Sequence, residues 1–309
     1  MNYGGIGFEH VWAYQIKCMM ANQYDRLIEA IALGKPDLII AVCLRLGWND
    51  AFRHVSKNVS DQDTLSECVK KKWLDIFNTK NKNKRKVQVT ANTANFSLKD
   101  DEKDDLIYRI CISLVDDFKK YAILSYPQNR CKNDNRACYI DNLCNDQNFK
   151  DKFKAIKDVN NTDYPLCPGH IQKMFAMAMK LLLCLIISAE QPNAKNVKLG
   201  VHNGRDIFLG RTAALLVKKF DFNNIPFAFD TADCPIDSII LEKIQDKKVT
   251  QNPTIVNHGS NVKFTQIVWS KFGTSKESLS NYSVAQNEIE QIYRRTGKCN
   301  LCFDFENWN

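Results

Sequence analysis

Asp37-Leu38-Ile39-Ile40-Ala41-Val42-Cys43-Leu44 is a near-continuous apolar run, and it decides the predicted fold. Such a run is typical of a strand that is buried on both faces of a sheet. A helix is predicted before it, because apolar residues recur every three to four positions between Phe8 and Ala30. The helix breaker Gly34-Lys35-Pro36 separates the two. We therefore predict an α/β fold, with a central mixed, mainly parallel sheet and helices on both faces.

The rest of the chain extends this alternation of helices and strands. Apolar periodicity predicts the strongest helix of the protein at 169–190, and short apolar runs predict the strands. Further helices are predicted at 64–77, 106–118 and 212–220, and further strands at 86–90, 197–201, 239–244 and 254–256.

Residues 126–168 are predicted to form a small irregular lobe inserted into this core. The segment is rich in Asn, Asp, Lys and Cys and shows little periodicity. The core would then consist of residues 1–125 and 169–309. Four cysteines of the segment could tie the lobe together by disulfides: Cys131, Cys138, Cys144 and Cys167.

The composition fits a globular protein and argues against a nucleic-acid partner. With 309 residues, 44% of them hydrophobic, the chain can bury a substantial core. The net charge of +8 is concentrated in residues 80–86. That run is interleaved with Asn and lacks the aromatic residues of a nucleic-acid surface, so we interpret it as a solvated loop.

The sequence predicts a soluble protein without a membrane span. The longest apolar run, Met174–Ser188, is about 15 residues long, whereas a bilayer requires about 20. We interpret it as a buried core helix. No signal peptide is visible in residues 1–30.

The sequence alone does not decide the cellular compartment of the protein. Twelve cysteines and glycosylation sequons favour a secretory or extracellular location, whereas the missing signal peptide opposes it. The sequons are at Asn58, Asn95, Asn160 and Asn281.

The order of motifs in the last third of the chain resembles that of the histidine acid phosphatases. In that family a short strand ends in a His-Asp pair, a helix follows, a Pro-aromatic-Ala stretch enters the next strand, and a later strand has an Asn-Gly-type hairpin before a Cys-rich tail. The corresponding segments are Val201-His202-Asn203, Ile225–Asp230, 239–242, Val256–Gly259 and Cys299-x-x-Cys302. The resemblance is a pattern over roughly 110 residues.

The resemblance implies a pocket for a phosphate ester near His202. Family chemistry uses a histidine nucleophile, arginines and a second histidine that hold the phosphoryl oxygens, and an acid that protonates the leaving group. His202 matches the second histidine, but Asn203 replaces the acid and has no proton to give. Asp206 is the nearby carboxyl group, and Arg205 and Arg211 would favour an anion.

The nucleophile motif, Arg-His-Gly-x-Arg, is only partly matched. Arg45-Leu46-Gly47 has the flanking residues without the histidine, and Arg53-His54-Val55-Ser56-Lys57 has the Arg-His pair without the glycine. In a third register the chain begins after the motif, and Gly7–Tyr24 matches the first long helix of the family. We therefore expect a phosphatase-like protein with weak or no phosphomonoesterase activity, with His202, Asn203, Asp206 and His54 as catalytic candidates and Arg45, Arg53 and Arg205 as binding candidates.

A rival interpretation is a secreted, cysteine-rich interaction protein. Phe264–Trp269 resembles a signature of the CAP superfamily, and His202-Asn203-x-Arg205 resembles its first helix. However, Lys263 lies where that family has a cavity histidine. The simpler interpretation of Phe264–Trp269 is an amphipathic strand.

No metal or organic cofactor is predicted. Cys299-x-x-Cys302 is half of a zinc site without a second pair, so a disulfide or free thiols are expected there. Gly4-Gly5-x-Gly7 lacks the preceding strand of a dinucleotide fingerprint. The expected partner is a phosphorylated small molecule or another anion, and the oligomeric state is open.

Overall fold

Helices make up most of the part of the chain that the computed structural model describes. That part comprises residues 23–33, 35–52, 58–59, 65–78, 102–124, 136–157, 165–190, 198–202, 205–208, 232–251, 263–272, 276–293 and 296–307. The helices are α1 (Tyr24–Leu33), α2 (Pro36–Ala51), α3 (Glu67–Asn78), α4 (Glu102–Ser113), α5 (Val115–Ile123), α6 (Arg136–Asn145), α7 (Gln147–Asp151), α8 (Pro168–Glu190), α9 (Ser238–Gln251), α10 (Lys276–Tyr293) and α11 (Asn300–Asn307).

The strands of the described residues are short and form two antiparallel pairs. β1 (Asn58–Val59) pairs with β2 (Ile156–Lys157), and β3 (Lys198–His202) pairs with β4 (Arg205–Phe208). Two single 3₁₀ turns, Phe264–Gln266 and Trp269–Lys271, lie between α9 and α10.

Helix α8 is the centre of the core. It contacts α2 most extensively, and also α5, α6 and the 3₁₀ turn at Trp269–Lys271. By length and composition alone, Pro168–Ile187 could cross a membrane, but 94% of its most apolar window is buried inside the protein. Core helices of globular proteins pass the same test of length and composition, and the burial of α8 agrees with the core helix predicted at 169–190.

A glycine allows α2 and α8 to approach closely. A methyl group at Gly47 would lie 2.6 Å from the backbone oxygen of Met174 and 3.3 Å from the Cβ atom of Met177. Because a backbone oxygen inside a helix cannot move aside easily, only a residue without a side chain fits at this crossing.

The segment Ala232–Asp237 has no regular secondary structure, yet all of it is buried. Side chains replace the missing backbone partners: the Gln286 amide accepts from the Cys234 N–H at 3.1 Å and donates to the Cys234 carbonyl at 2.8 Å. The Asn300 amide in turn donates to the Gln286 carbonyl and side-chain oxygen. This chain of bonds fixes the start of α11 against α10, as buried polar groups require partners.

The predicted α/β fold is wrong. Asp37–Leu44, predicted as a central strand, lies within α2, and every residue from Leu38 to Arg45 is buried. A helix that is covered on all sides shows a continuous apolar run without periodicity, just as a buried strand does. Pro36 at the first position of α2 begins the helix rather than separating a helix from a strand.

Other predicted strands also differ from the structure. Residues 239–244 lie in α9, and Phe264–Trp269 contains one 3₁₀ turn and the start of another instead of a strand. Residues 197–201 largely coincide with β3, but β3 belongs to an antiparallel pair rather than to a parallel sheet. The predictions at 86–90, 212–220 and 254–256 lie outside the described residues, as does the first part of the predicted helix Phe8–Ala30.

The predicted lobe is partly helical and no described cysteine in it forms a disulfide. Residues 136–151 form α6 and α7, and α6 contacts both α8 and α10. No disulfide forms among the described cysteines, which include Cys138, Cys144 and Cys167, and Cys131 lies outside the described residues. The predicted disulfides are therefore wrong for the described cysteines, and the secretory or extracellular location stays a prediction.

Candidate functional site

The residues predicted near the phosphate pocket lie in the β3–β4 pair. His202 is directly opposite Arg205, and Val201 is directly opposite Asp206. Positions 202 and 205 therefore share one face of the ladder, and position 206 belongs to the other. His202 neither ends a parallel strand nor starts a helix, and Asn203 lies outside the described residues.

Of the candidate residues near the predicted nucleophile motif, only Arg45 belongs to the described part of the chain. Arg45 is buried within α2, and its guanidinium donates to the side chain of Asn49 one turn later. Arg53 and His54 lie outside the described residues. The structure therefore does not place the nucleophile candidates near His202.

A compact charged cluster lies at the N-terminal end of α8. The Lys173 ammonium is 2.9 Å from Asp50 Oδ2 and 3.0 Å from Asp237 Oδ2. Burial opposes the charge on Lys173, but the carboxylates of Asp237 and Asp50 hold its pKa above the ordinary value. The ring of His170 lies between those of Phe52 and Trp269, and burial, with the Lys173 charge, lowers its pKa to about 4.

The contacts of this cluster connect secondary-structure elements with one another. Asp237 also accepts from the Ile240 N–H and so caps α9, which ties three elements to one lysine. A neutral His170, in tilted contact with the Phe52 ring and edge-on contact with the Trp269 ring, has no charged role near pH 7. The cluster therefore explains how α2, α8 and α9 are held together.

The site with the clearest chemical potential is the Cys299–Cys302 pair at the start of α11. The two sulfur atoms lie 4.0 Å apart and share a hydrogen bond. Cys299 immediately precedes the helix and is 5% exposed, whereas Cys302, in its first turn, is fully buried. The Cys302 N–H donates to the Cys299 carbonyl, which fixes the turn between them.

The pKa values of the two thiols are shifted in opposite directions. The hydrogen bond with Cys302 lowers the pKa of Cys299, burial opposes this change, and backbone N–H groups at the helix start add to it. The same hydrogen bond, together with burial and the Cys299 charge, raises the pKa of Cys302. Thiols at helix N-termini commonly show such lowered pKa values, because the helix presents unpaired N–H groups to the sulfur.

Two polar groups lie close to the pair in the sequence of α11. Asn300, between the cysteines, is buried and bonded to Gln286. The Glu306 carboxylate, one turn after Cys302, accepts from the Tyr293 hydroxyl and from Lys298, each at 2.5 Å. A buried polar network and a partly exposed ion pair therefore both belong to the surroundings of the dithiol.

Sequence reasoning identified this motif but not its role. The spacing Cys-x-x-Cys was interpreted as half of a zinc site or as a disulfide or free thiols, and the structure shows free thiols. The missed signal was local: a Cys-x-x-Cys followed by a helix places the first sulfur at the helix N-terminus. Among the described residues no group of three or more Cys, His, Asp and Glu could hold a metal ion.

A surface cleft of about 330 Å³ lies elsewhere, between α7 and the segment before α8. Its charged rim is largely self-neutralised, because Lys154 lies 2.9 Å from Asp151, which also accepts from Gln147. Phe153, Pro165 and Leu166 form its apolar part. It contains none of the residues predicted from the phosphatase resemblance.

Comparison with known proteins gives no match. No protein-family model matches it, and neither a curated protein nor a solved structure shows significant similarity. The resemblance to the histidine acid phosphatases therefore stays a prediction, as does the CAP alternative. The function has to be argued from the chemistry of the chain itself, and the Cys299–Cys302 dithiol is the candidate site that this chemistry favours.

Proposed function

We propose that this protein is a thiol–disulfide exchange protein whose reactive group is the Cys299–Cys302 dithiol. The observation that carries the proposal is geometric: two cysteine thiols, neither of them in a disulfide, lie 4.0 Å apart and share a hydrogen bond at the start of a helix. A disulfide bond is about 2 Å long, so bond formation requires the sulfur atoms to approach by about 2 Å.

The two sulfur atoms have distinct roles in the exchange. The Cys299 thiolate attacks one sulfur of a partner disulfide, which forms a mixed disulfide and releases the first partner thiolate. Cys302 then loses its proton and attacks the Cys299 sulfur, which releases the second partner thiolate. Two cysteine thiols are oxidised to one disulfide, and the partner disulfide is reduced to two thiols after uptake of the two protons.

The difference in acidity and exposure supports this order of attack. The thiolate is the nucleophile of the exchange, and Cys299 is the sulfur whose negative charge the helix start and Cys302 stabilise. Cys302 is fully buried and keeps its proton, so it attacks only after the mixed disulfide has formed. The sequence order, nucleophile first and resolving thiol second, follows from this geometry.

The test is a redox titration of the full chain. The reduced protein is equilibrated in buffers of increasing glutathione disulfide, free thiols are alkylated, and peptides are assigned by mass spectrometry. We expect one two-electron transition confined to Cys299 and Cys302. The variant Cys302→Ser should accumulate a mixed disulfide on Cys299.

Cys68→Ser is the matched control, since Cys68 is more exposed than either member of the pair. This variant should keep the transition unchanged. The proposal fails if the chain forms no Cys299–Cys302 bond at any glutathione ratio, or if Cys68 is modified in preference to Cys299 while circular dichroism shows a folded protein.

Anion binding at the β3–β4 pair is a second candidate, and the ladder register favours it. His202 lies opposite Arg205, so one face of the ladder carries an imidazole position and a guanidinium position. Position 206 belongs to the other face, so the carboxyl position of Asp206 does not share the face of His202. This arrangement supports retention of a phosphate ester without hydrolysis.

Phosphate binding and aryl phosphate hydrolysis at acidic pH test this second candidate. Binding of inorganic phosphate should weaken at least several-fold in His202→Ala and Arg205→Ala and persist in Asp206→Asn. Turnover that disappears in His54→Ala would instead show an active nucleophile. Phosphate binding that is unaffected by His202→Ala and Arg205→Ala would exclude the β3–β4 site.

A further inference from the structure

The surface cleft beside α7, which we call the α7 cleft, combines charged and apolar side chains. Its volume of about 330 Å³ lies within the range of pockets that hold small organic molecules. The polar side chains belong to α7 and to the turn after it, and the apolar ones to that turn and to the segment before α8. The described residues that line it are Gln147, Lys150, Asp151, Phe153, Lys154, Pro165 and Leu166.

The apolar part of the cleft is held in place by the core. The Phe153 ring is buried, and its centre lies 5.4 Å from that of Phe149 and 5.8 Å from that of Trp48. Leu166 is partly buried and packs against the same core, whereas Pro165 is exposed. The cleft therefore offers an apolar surface that exists before any ligand binds.

The lining carries one positive charge in excess of its own ion pair. Lys154 lies 2.9 Å from Asp151, whose carboxylate also accepts from Gln147. Lys150 is exposed, and its ammonium forms no ion pair or hydrogen bond with a described residue. This ammonium can therefore bind an anion from solvent without breaking a contact of the protein.

The charged groups next to the lining have contacts of their own. Asp146 precedes α7, and its carboxylate accepts from the Phe149 N–H at 2.8 Å. Lys152 donates to the Asp117 carboxylate and, at 3.0 Å, to the Ser113 carbonyl. Neither group supplies a second unpaired ammonium to the cleft.

These features define the chemistry of the ligand. A lysine binds an anion as a point charge and lacks the planar fork with which arginine binds phosphate. The Asp151 carboxylate on the rim repels a second negative charge, so a ligand with one negative charge is favoured over a phosphate ester. The apolar lining requires that the rest of the ligand be apolar.

We infer that the α7 cleft binds a small amphipathic carboxylate. Its apolar part lies on Phe153, Pro165 and Leu166, and its carboxylate lies at the Lys150 ammonium. The inference is independent of the thiol–disulfide exchange proposed above, because none of the residues involved belongs to the dithiol.

The test uses three probes that share one aromatic body and differ in charge: 2-naphthoate, neutral 2-naphthylmethanol and cationic 2-naphthylmethylamine. Their binding to the full chain is measured by NMR titration at low ionic strength. From the usual affinity of ligands of this size, we expect a Kd of about 1 mM or lower for 2-naphthoate. An exposed ion pair should make 2-naphthoate bind about threefold tighter than the alcohol, with the amine weakest.

Substitutions of Lys150 locate the charge preference. Lys150→Gln should remove the advantage of 2-naphthoate and leave binding of the alcohol unchanged, and Lys150→Glu should make the amine the tightest ligand. Lys120→Gln, on the exposed side of α5, is the matched control, since this ammonium also forms no ion pair with a described residue. Leu166→Ser should weaken all three probes while circular dichroism shows a folded protein.

The possible outcomes support or overturn the inference at separate points. Binding of the alcohol as tight as that of 2-naphthoate overturns the anionic ligand. Equal effects of Lys150→Gln and Lys120→Gln would assign the charge preference to the net charge of the protein and overturn the site. Tighter, Lys150-dependent binding of 2-naphthyl phosphate overturns the carboxylate, and absence of binding of every probe overturns the α7 cleft as a ligand site.

Discussion

The pKa values of Cys299 and Cys302 are shifted in opposite directions, because the two thiols occupy different positions in one helical turn. Cys299 precedes the helix, beside the backbone N–H groups of its first turn, whereas Cys302 lies one turn later with its sulfur 4.0 Å from that of Cys299. Burial alone would raise the pKa of both. The backbone N–H groups at the helix start favour Cys299 as the thiolate.

The pH dependence of alkylation tests this assignment. Because the pKa of Cys299 is lowered, its reaction with iodoacetamide should reach half of its maximal rate below pH 9.0, the ordinary value for a cysteine. Cys302→Ala removes the donor and should move this midpoint to higher pH. A midpoint at or above 9.0 in the unmodified protein would contradict the assignment of Cys299 as the nucleophile.

The free energy of unfolding should depend on pH through His170. Its pKa is about 4 in the folded protein and about 6.5 for an ordinary histidine, so the unfolded chain binds the extra proton between these values. The stability that comes from keeping His170 neutral is present above pH 6.5 and is lost as the pH falls towards 4. Between pH 7 and pH 5 we expect a loss of roughly 1 to 2 kcal/mol.

Urea denaturation of the protein and of His170→Gln at both pH values measures this term. The variant should lose less stability than the unmodified protein on acidification, since glutamine does not titrate. An equal loss in the two proteins would assign the acid sensitivity to other groups, such as the carboxylates paired with Lys173.

At the scale of elements, sequence patterns predicted the long helices better than the strands. The helix at 169–190 was confirmed, and the predicted helices at 64–77 and 106–118 overlap α3, α4 and α5. Residues 37–44 and 239–244 were predicted as strands because a short apolar run has no period that distinguishes a buried helix from a buried strand. Only tertiary packing supplies the missing information, namely that α2 is covered on all sides.

The candidate site, too, could be predicted only in part, because much of it depends on tertiary structure. The spacing of Cys299 and Cys302 is visible in the sequence, but their free state, the 4.0 Å separation and the bond from Asn300 to Gln286 arise from tertiary structure. The residues predicted from the phosphatase resemblance depended on a parallel sheet. The described residues place His202 in a two-stranded antiparallel pair instead.

The crossing of α2 and α8 gives a prediction at this scale. Gly47→Ala should improve the intrinsic helix propensity of α2 by about 1 kcal/mol. The added methyl group would nevertheless lie 2.6 Å from the Met174 oxygen, and forcing the helices apart costs about 1–3 kcal/mol. We expect a net decrease in the free energy of unfolding, measured by urea denaturation. An increase would show that the two helices separate without loss of packing.

At the scale of the whole molecule, one buried ion pair joins the middle of the chain to its last described helix. Lys180, in the centre of α8, donates to Asp304 of α11, and both side chains are 2% exposed. Burial raises the pKa of Asp304 while the Lys180 charge opposes that change. The pair therefore fixes how α11, with its dithiol, sits on the core.

Removing one partner should cost much more than removing both. Lys180→Met leaves the Asp304 carboxylate buried and unpaired, so we expect a loss of about 3–5 kcal/mol in the free energy of unfolding. Lys180→Met combined with Asp304→Leu should recover most of this loss, because two apolar side chains need no partner. Chemical denaturation of the two single variants and the double variant gives the coupling energy, and simple additivity would contradict a direct pair.

The apolar character of α8 has a consequence for the newly made chain. A segment that a lipid bilayer would accept by length and composition is covered by α2, α5 and α6 in the folded chain, and the ammonium of its Lys180 pairs with Asp304, more than a hundred residues later in the sequence. Before these elements pack against it, α8 exposes an apolar surface to chaperones and membranes. The pair that fixes α11 on this surface can form only after α11 has been synthesised.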